Sequence, residues 1–137
     1  MQYPLAIEKG NKNEAFGVIV PDIPGCHSAG DTLEEAITEA KIAITSHLEI
    51  LAKDNQPIPF PSDLEKHINN HDYKNRIWFL IDIDLSSYLG NPEKINVSLP
   101  SRLIRLIDEN VGKGKQFKTR SSFLASGAEL LLKKIKK

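Results

Sequence analysis

Three aspartates in the sequence could together hold a divalent cation. Asp82 and Asp84 would share one face of the β-rich run 76–84, and Asp22 lies in a turn. Carboxylates grouped in this way bind Mg²⁺ in nucleases, where the metal activates a water for phosphodiester cleavage. No motif places a third carboxylate beside the pair, so solvated residues at a strand edge are the better interpretation of Asp82 and Asp84. Asp22 is then a turn residue that bonds nearby backbone groups.

Two further pairs have the residue types of metal or nucleophile chemistry. His67 and His71 have the i, i+4 spacing with which a helix holds zinc, but no glutamate lies between them and no third ligand is evident. Cys26 and His27 place a thiol beside a base, yet adjacent residues of a strand point to opposite faces. We therefore expect a small buried thiol, no metal site, no cofactor and no catalytic residue.

The segment 94–99 alternates polar and apolar side chains without a break, and Pro100 follows it. This alternation predicts a strand with one polar and one apolar face. The polar face consists of Lys94, Asn96 and Ser98, and the apolar face of Ile95, Val97 and Leu99. Because residues 94–137 offer no second strand, the strand should pair with its copy in another chain.

Two helices should follow this strand. Pro100 opens the first, which carries an apolar stripe and ends at Gly112 and Gly114, and the second starts near residues 119–121. A strand and two helices of this length cannot bury their own apolar surface. We therefore expect the segment to form a homodimer, or a homotetramer built from such dimers. The expected dimer core is Ile95, Val97 and Leu99.

The formal net charge of zero conceals two regions of opposite charge. Residues 1–93 carry 7 Lys and Arg against 15 Asp and Glu, a balance of −8, whereas residues 94–137 carry 11 against 3, a balance of +8. A basic region suits a nucleic acid, and an acidic region suits a basic protein surface. The charge distribution therefore predicts two partners of opposite character.

A ribbon made by two copies of one strand is narrow enough to enter the major groove of DNA. The run KINVSLPSRLIRLID at 94–108 and the run TRSSFL at 119–124 resemble the ribbon-helix-helix repressors. The resemblance implies that Lys94, Asn96 and Ser98 read bases. It also implies that backbone N–H groups at the start of the second helix clamp a phosphate. The expected phosphate contacts are Lys118, Thr119, Arg120, Ser121 and Ser122.

The first part of the chain should form an antiparallel sheet with one main helix. Thr32 caps that helix, whose apolar face continues to about Lys53. Three prolines make residues 55–61 an extended connection, and a short polar helix capped by Ser62 or Asp63 follows. The expected strands are 3–8, 15–20, 26–29 and 76–84, of which the last should be the central strand.

The same region resembles the HicB antitoxins in three motifs that occur in the family's order. They are FGVIVPDIPGC at 16–26, SAGDTLEEA at 28–36 and PIPFPS at 57–62. The resemblance covers nearly the whole chain and implies a partial ribonuclease H-like fold without its catalytic carboxylates. It further implies a partner, the mRNA-cleaving toxin HicA, and repression of the operon. The polar stretch 65–75 is longer than the family pattern leads us to expect.

The sequence thus predicts an α+β antitoxin and autorepressor with three parts. A HicB-like toxin-neutralising domain spans 1–85, a linker spans 86–93, and a ribbon-helix-helix domain that binds operator double-stranded DNA spans 94–137. One cysteine and the absence of a signal peptide or membrane-spanning run predict a cytoplasmic bacterial protein, nucleoid-associated when bound to DNA. Two alternatives remain open: a degenerate Mg²⁺-dependent nuclease, and a ligand-sensing repressor without a toxin partner.

Overall fold

The computed structural model describes residues 1–135, which form two units, residues 1–91 and residues 92–135. Lys136 and Lys137, counted above in the basic region, lie outside the described residues. The boundary between the units falls inside the segment 86–93. Tyr88 of that segment packs against the core of the first unit. No helix among residues 1–135 is both long enough and apolar enough to cross a membrane.

The first unit is built on a four-stranded antiparallel sheet, so the α+β class is confirmed. The strands are β1 Gln2–Glu8, β2 Phe16–Ile19, β3 His27–Gly30 and β4 Ile77–Asp82, in the spatial order β3-β2-β1-β4. The prediction that the run 76–84 forms the central strand is wrong, because β4 lies at an edge of the sheet. Ile77, Phe79 and Leu80 are 40%, 42% and 41% exposed. The strand that is covered on both faces is β1, whose five inner residues are all buried.

The main helix, α1, spans Leu33–Lys53 and begins where the sequence predicts. The hydroxyl of Thr32 accepts a hydrogen bond from the Glu35 backbone N–H at 3.1 Å. Leu33, expected on the apolar face, is 36% exposed, because the buried stripe starts instead at Ala36. Gly30, at the end of β3, approaches α1 so closely that a Cβ there would lie 2.4 Å from the Ala36 backbone nitrogen. The buried stripe consists of Ala36, Ala40, Ile44 and Leu48.

Side chains from all of these elements form one hydrophobic core, whose burial is the main source of stability. Cys26 is fully buried in this core, which confirms the expected buried thiol, and burial raises the pKa of that thiol. Tyr3 is also fully buried, and its hydroxyl donates to the Pro59 carbonyl oxygen at 2.6 Å. This bond ties the proline-rich connection to β1.

The connection between α1 and β4 is extended at first and then turns into short helical segments. The predicted polar helix is confirmed as α2, Leu64–Ile68, with Asp63 preceding it. A single 3₁₀ turn, His71–Tyr73, follows. No residue of either segment is buried, so contacts with the sheet must hold them in place.

The second unit contains the two predicted helices, α3 Ser101–Glu109 and α4 Arg120–Ile135. Residues 94–99 pair with no strand in the single chain, so the predicted strand, which needs a second copy, stays a prediction. Within the described part of this unit, Ile107 is the one buried residue. An isolated bridge between Val111 and Phe117 closes the loop between the helices.

Candidate functional site

A buried acid–base pair joins two distant parts of the first unit. Asp22 lies in the turn after β2, which is closed by a bond from the Val20 N–H to the Cys26 carbonyl oxygen at 3.1 Å. The Asp22 side chain is only 2% exposed. His67 on α2 donates from Nε2 to Oδ1 and Oδ2 of Asp22, at 3.2 and 3.3 Å. The turn therefore holds α2 against the sheet.

Two aromatic side chains complete the surroundings of His67. Its ring stacks on Trp78 of β4 with an interplanar angle of 19°, and Tyr73 meets both rings edge-on. The centroids lie 5.7 to 6.2 Å apart, within the range of favourable aromatic contacts. The polar stretch 65–75, which departs from the family pattern, is thus fixed by one ion-pairing ring and its aromatic neighbours.

This arrangement does not provide the predicted alternatives with a metal or a nucleophile. His67 is bonded to Asp22, while His71 is exposed in the 3₁₀ turn. Asp84 lies beyond the end of β4, where hydrogen bonds from the Ser86 side chain and backbone lower the pKa of its carboxyl. No three His, Cys, Asp or Glu residues among residues 1–135 are grouped so that they could hold a metal. The expectation that Asp82 and Asp84 are solvated is confirmed, since both are exposed.

The acidic charge of the first unit is almost entirely on its surface. Of the acidic residues in 1–93, Asp22 alone is buried and all the others are exposed. One group of them lies on α1 and at its start, where carboxylates also favour the positive end of the helix. These are Asp31, Glu34, Glu35, Glu39 and Glu49. The surface can therefore attract a basic partner.

The residues predicted to read bases are all accessible. Lys94, Asn96 and Ser98 are exposed, as expected of a recognition surface. On the opposite side of the predicted strand, Ile95 and Val97 are 76% and 59% exposed in the single chain. Large apolar side chains exposed to this extent usually mark an interaction site.

The predicted phosphate-binding residues surround the first turn of α4. Thr119 and Ser122 cap the helix reciprocally: the Ser122 N–H donates to Thr119 Oγ1 at 3.1 Å, and the Thr119 N–H to Ser122 Oγ at 3.2 Å. The Ser122 N–H is therefore already used within the cap. Arg120 and Ser121 are the first two helical residues, whose N–H groups have no acceptor inside a helix. Lys118 is exposed beside them.

The structure adds a contact that sequence reasoning missed, because it joins two helices. The Arg120 guanidinium donates to both carboxylate oxygens of Asp108 on α3, at 3.1 and 2.8 Å. The hydrogen bond from Arg120 lowers the pKa of Asp108, and the same bond raises the pKa of Arg120. The guanidinium thus orients α4 on α3, and its geometry is that of a structural bridge. Phe117 and Phe123 support the same corner, with ring centroids 5.3 Å apart.

Residues 3–128 match the family described as HicB_like antitoxin of bacterial toxin-antitoxin system. This match covers both units. The chain belongs to that family. The relatives in it carry the name of antitoxins, not of enzymes, in agreement with the absence of catalytic residues expected from the sequence.

Individual members and solved structures agree with the family assignment. An uncharacterized 14.9 kDa protein of Haemophilus phage HP1 is 42% identical over 91% of this chain and 92% of its own length. The crystal structure of the Burkholderia pseudomallei antitoxin HicB is 38% identical, with a TM-score of 0.69 over 96% of this chain and 98% of that one. A chain of the HicA3 and HicB3 toxin-antitoxin complex is 32% identical, with a TM-score of 0.53 over 61% of this chain and 99% of that one.

Proposed function

We propose that this HicB-family antitoxin binds and inhibits a HicA-type mRNA-cleaving toxin and represses its own operon. The observation that carries the proposal is the family match over residues 3–128, which includes a relative in a solved complex of HicA3 with HicB3. The separation of charge between the two parts of the chain assigns one task to each. The first part, 1–85, would neutralise the toxin, and 94–137 would bind operator DNA across a linker at 86–93.

Binding of the toxin is supported by the exposed carboxylates of the first unit. A ribonuclease attracts polyanionic RNA, so the surface around its active site should be basic. An acidic domain can occupy that surface by presenting a similar charge. The strand order and the single long helix of the first unit also fit the partial ribonuclease H-like fold that the sequence resemblance implies.

Binding of DNA is supported by the state of residues 94–99 in the single chain. Their apolar side chains are exposed and their backbone is unpaired, so pairing with a second copy would bury the first and satisfy the second. The resulting ribbon would present Lys94, Asn96 and Ser98 to the major groove. The free N–H groups at the start of α4, together with Lys118, would hold a phosphate.

Inhibition of RNA cleavage tests the toxin part of this proposal. The full chain would be mixed with the purified toxin encoded beside it, and cleavage of a labelled RNA would be followed. We expect cleavage to stop at a stoichiometric amount of this chain. Undiminished cleavage at a saturating excess would exclude the antitoxin function for that toxin.

Operator binding tests the second part separately. The full chain would be titrated onto DNA from upstream of its own gene and onto random DNA of the same length. We expect tighter binding to the upstream DNA, and we expect Val97→Asp to abolish it because the ribbon cannot form. Equal binding to both DNAs would contradict autorepression without affecting the toxin assay.

A further inference from the structure

The outer edge of the sheet at β4 carries features that neither toxin binding nor the ribbon explains. Ile77, Phe79 and Leu80 are each exposed by about two fifths, and no strand pairs with this edge among the described residues. Native sheets protect such edges with lysine, proline or a bulge. The six residues of β4 contain none of these residues. An unprotected apolar edge of this kind indicates that something pairs with it.

The hydrogen-bond pattern identifies the residues that point their backbone outward. Met1 and Ile83 form a hydrogen-bonded pair, with bonds of 2.8 and 2.9 Å in the two directions. In an antiparallel ladder such pairs alternate with non-bonded pairs. Phe79 and Ile81, which have the same parity as Ile83, therefore bond to β1. The backbone groups that point to the free edge belong to Trp78, Leu80 and Asp82, with Arg76 just before the strand.

We propose that a second copy of this chain pairs with β4 in antiparallel fashion, about a two-fold axis at Phe79. This register places Leu80 opposite Trp78 of the other copy, so residues whose backbone groups point outward face one another. Phe79 then meets its own copy in a non-bonded pair, where opposite side chains approach most closely. The interface would join the two sheets into one of eight strands.

Charge complementarity favours the same register and a second copy as the partner. The two-fold axis at Phe79 brings Arg76 opposite Asp82 of the other copy, and Lys74 opposite Asp84. The Asp82 side chain is 80% exposed and the other two chain ends of this pairing, Lys74 and Asp84, are exposed as well. A positive charge at one end of β4 and negative charges at the other make the strand complementary to itself. A basic toxin would meet Arg76 and Lys74 as like charges.

This interface is independent of the ribbon formed by residues 94–99. Each is isologous, because the same surface is used by both copies. A chain that has two different isologous interfaces assembles beyond a dimer. We therefore expect the full chain to be at least a tetramer at high micromolar concentration.

The mass of full-length variants in sedimentation velocity tests the proposal. Val97→Asp disables the ribbon and should leave a dimer held by β4, and Leu80→Asp added to it should halve the mass. Ile50→Asp is the matched control, because Ile50 is an exposed apolar residue of α1 in the same unit. That control should leave the mass unchanged. Circular dichroism verifies that each variant is folded.

A charge exchange tests the register and does not rely on Leu80. In the Val97→Asp background, Asp82→Arg should raise the dissociation constant of the dimer by about two- to thirtyfold, since two exposed pairs are reversed in each dimer. Arg76→Glu added to Asp82→Arg should restore most of the affinity. If the double reversal is as weak as the single one, the two-fold register is wrong and the proposal fails.

Two other outcomes would also overturn the proposal. One is a Val97→Asp chain that is already a monomer at high micromolar concentration. The other is Leu80→Asp lowering the affinity for the toxin while the mass stays unchanged, which would assign the edge to the toxin. If Val97→Asp does not change the mass at all, the ribbon is refuted instead, and Leu80→Asp in the otherwise unchanged chain still reports on β4.

Discussion

The Nε2 atom of His67 lies 3.2 Å from Oδ1 of Asp22, although the two residues are 45 positions apart in the sequence. The carboxylate is 2% exposed and the imidazole 15% exposed, so water contributes little to either group. A buried carboxylate is costly unless donors surround it. The histidine therefore stabilises the turn and at the same time fixes α2 beside the sheet.

Replacement of His67 should destabilise the first unit. His67→Phe keeps a ring that can stack on Trp78 but removes the donor to Asp22, so we expect a loss of about 1–3 kcal/mol in the free energy of unfolding. Urea denaturation at neutral pH measures it. His71→Phe is the control, because His71 is exposed and should change the stability by less than about 0.5 kcal/mol. Equal effects of the two variants would show that the bond to Asp22 does not stabilise the fold.

The hydroxyl of Tyr3 should make stability depend on alkaline pH. Burial, and to a lesser extent the charge of Asp22, raise the pKa of Tyr3. The unfolded chain ionises this tyrosine near pH 10 whereas the folded chain keeps it neutral, so its contribution is complete below that pH and declines as the pH rises further.

Tyr3→Phe isolates this contribution. At neutral pH it should cost about 0.5–1.5 kcal/mol, because the bond to the Pro59 carbonyl is lost. Above about pH 10 the difference between the two proteins should shrink, because phenylalanine does not ionise. Urea unfolding at a series of pH values measures both. A constant difference across the series would mean that Tyr3 ionises equally in both states.

A methyl group at Gly30 should disrupt the contact between β3 and α1. Gly30→Ala would place a Cβ 2.4 Å from the Ala36 backbone nitrogen, so strand and helix must move apart, at a cost of about 1–3 kcal/mol. Gly17→Ala is the matched control, since a Cβ at Gly17 meets no atom within 4 Å. Thermal unfolding compares the two. A melting temperature for Gly30→Ala as high as that of the control would contradict this close packing.

The proposed ribbon predicts different effects for two kinds of DNA contact. Asn96→Ala should cost about 1–3 kcal/mol on operator DNA and relax the sequence preference, because a bidentate base contact is lost. Lys118→Ala should weaken binding to all DNA alike and lower the salt slope by about one unit. Titrations on operator and random DNA at several salt concentrations measure both. An equal loss on the two DNAs for Asn96→Ala would show that it is not a base reader.

Association with the toxin should depend strongly on salt. The carboxylates of the first unit are exposed, and such charges are screened over about 8 Å at physiological ionic strength. Added salt should therefore slow association more than it speeds dissociation, because the buried part of the contact is not screened. Stopped-flow and surface-based kinetics measure the two rates. An association rate independent of salt would refute steering by the acidic surface.

The sequence by itself determined the local elements of this protein. The cap at Thr32, the prolines of 55–61 and the glycines after α3 act on their immediate neighbours, so the helices, the extended connection and three of the strands could be predicted. The charge reversal and the apolar exposure of Ile95 and Val97 were also readable, because they depend on residue type and spacing. The family followed from the same short motifs.

Only the tertiary structure decided the position of β4, the partner of Asp22 and the partner of Arg120. An apolar run such as 76–84 is compatible with a central strand or with an edge, because its composition does not reveal whether a neighbour covers it. Asp22 and His67, like Arg120 and Asp108, meet through the packing of separate elements. Sequence spacing carries no signal for contacts of this kind, since they arise from how the whole chain folds and not from local backbone preference.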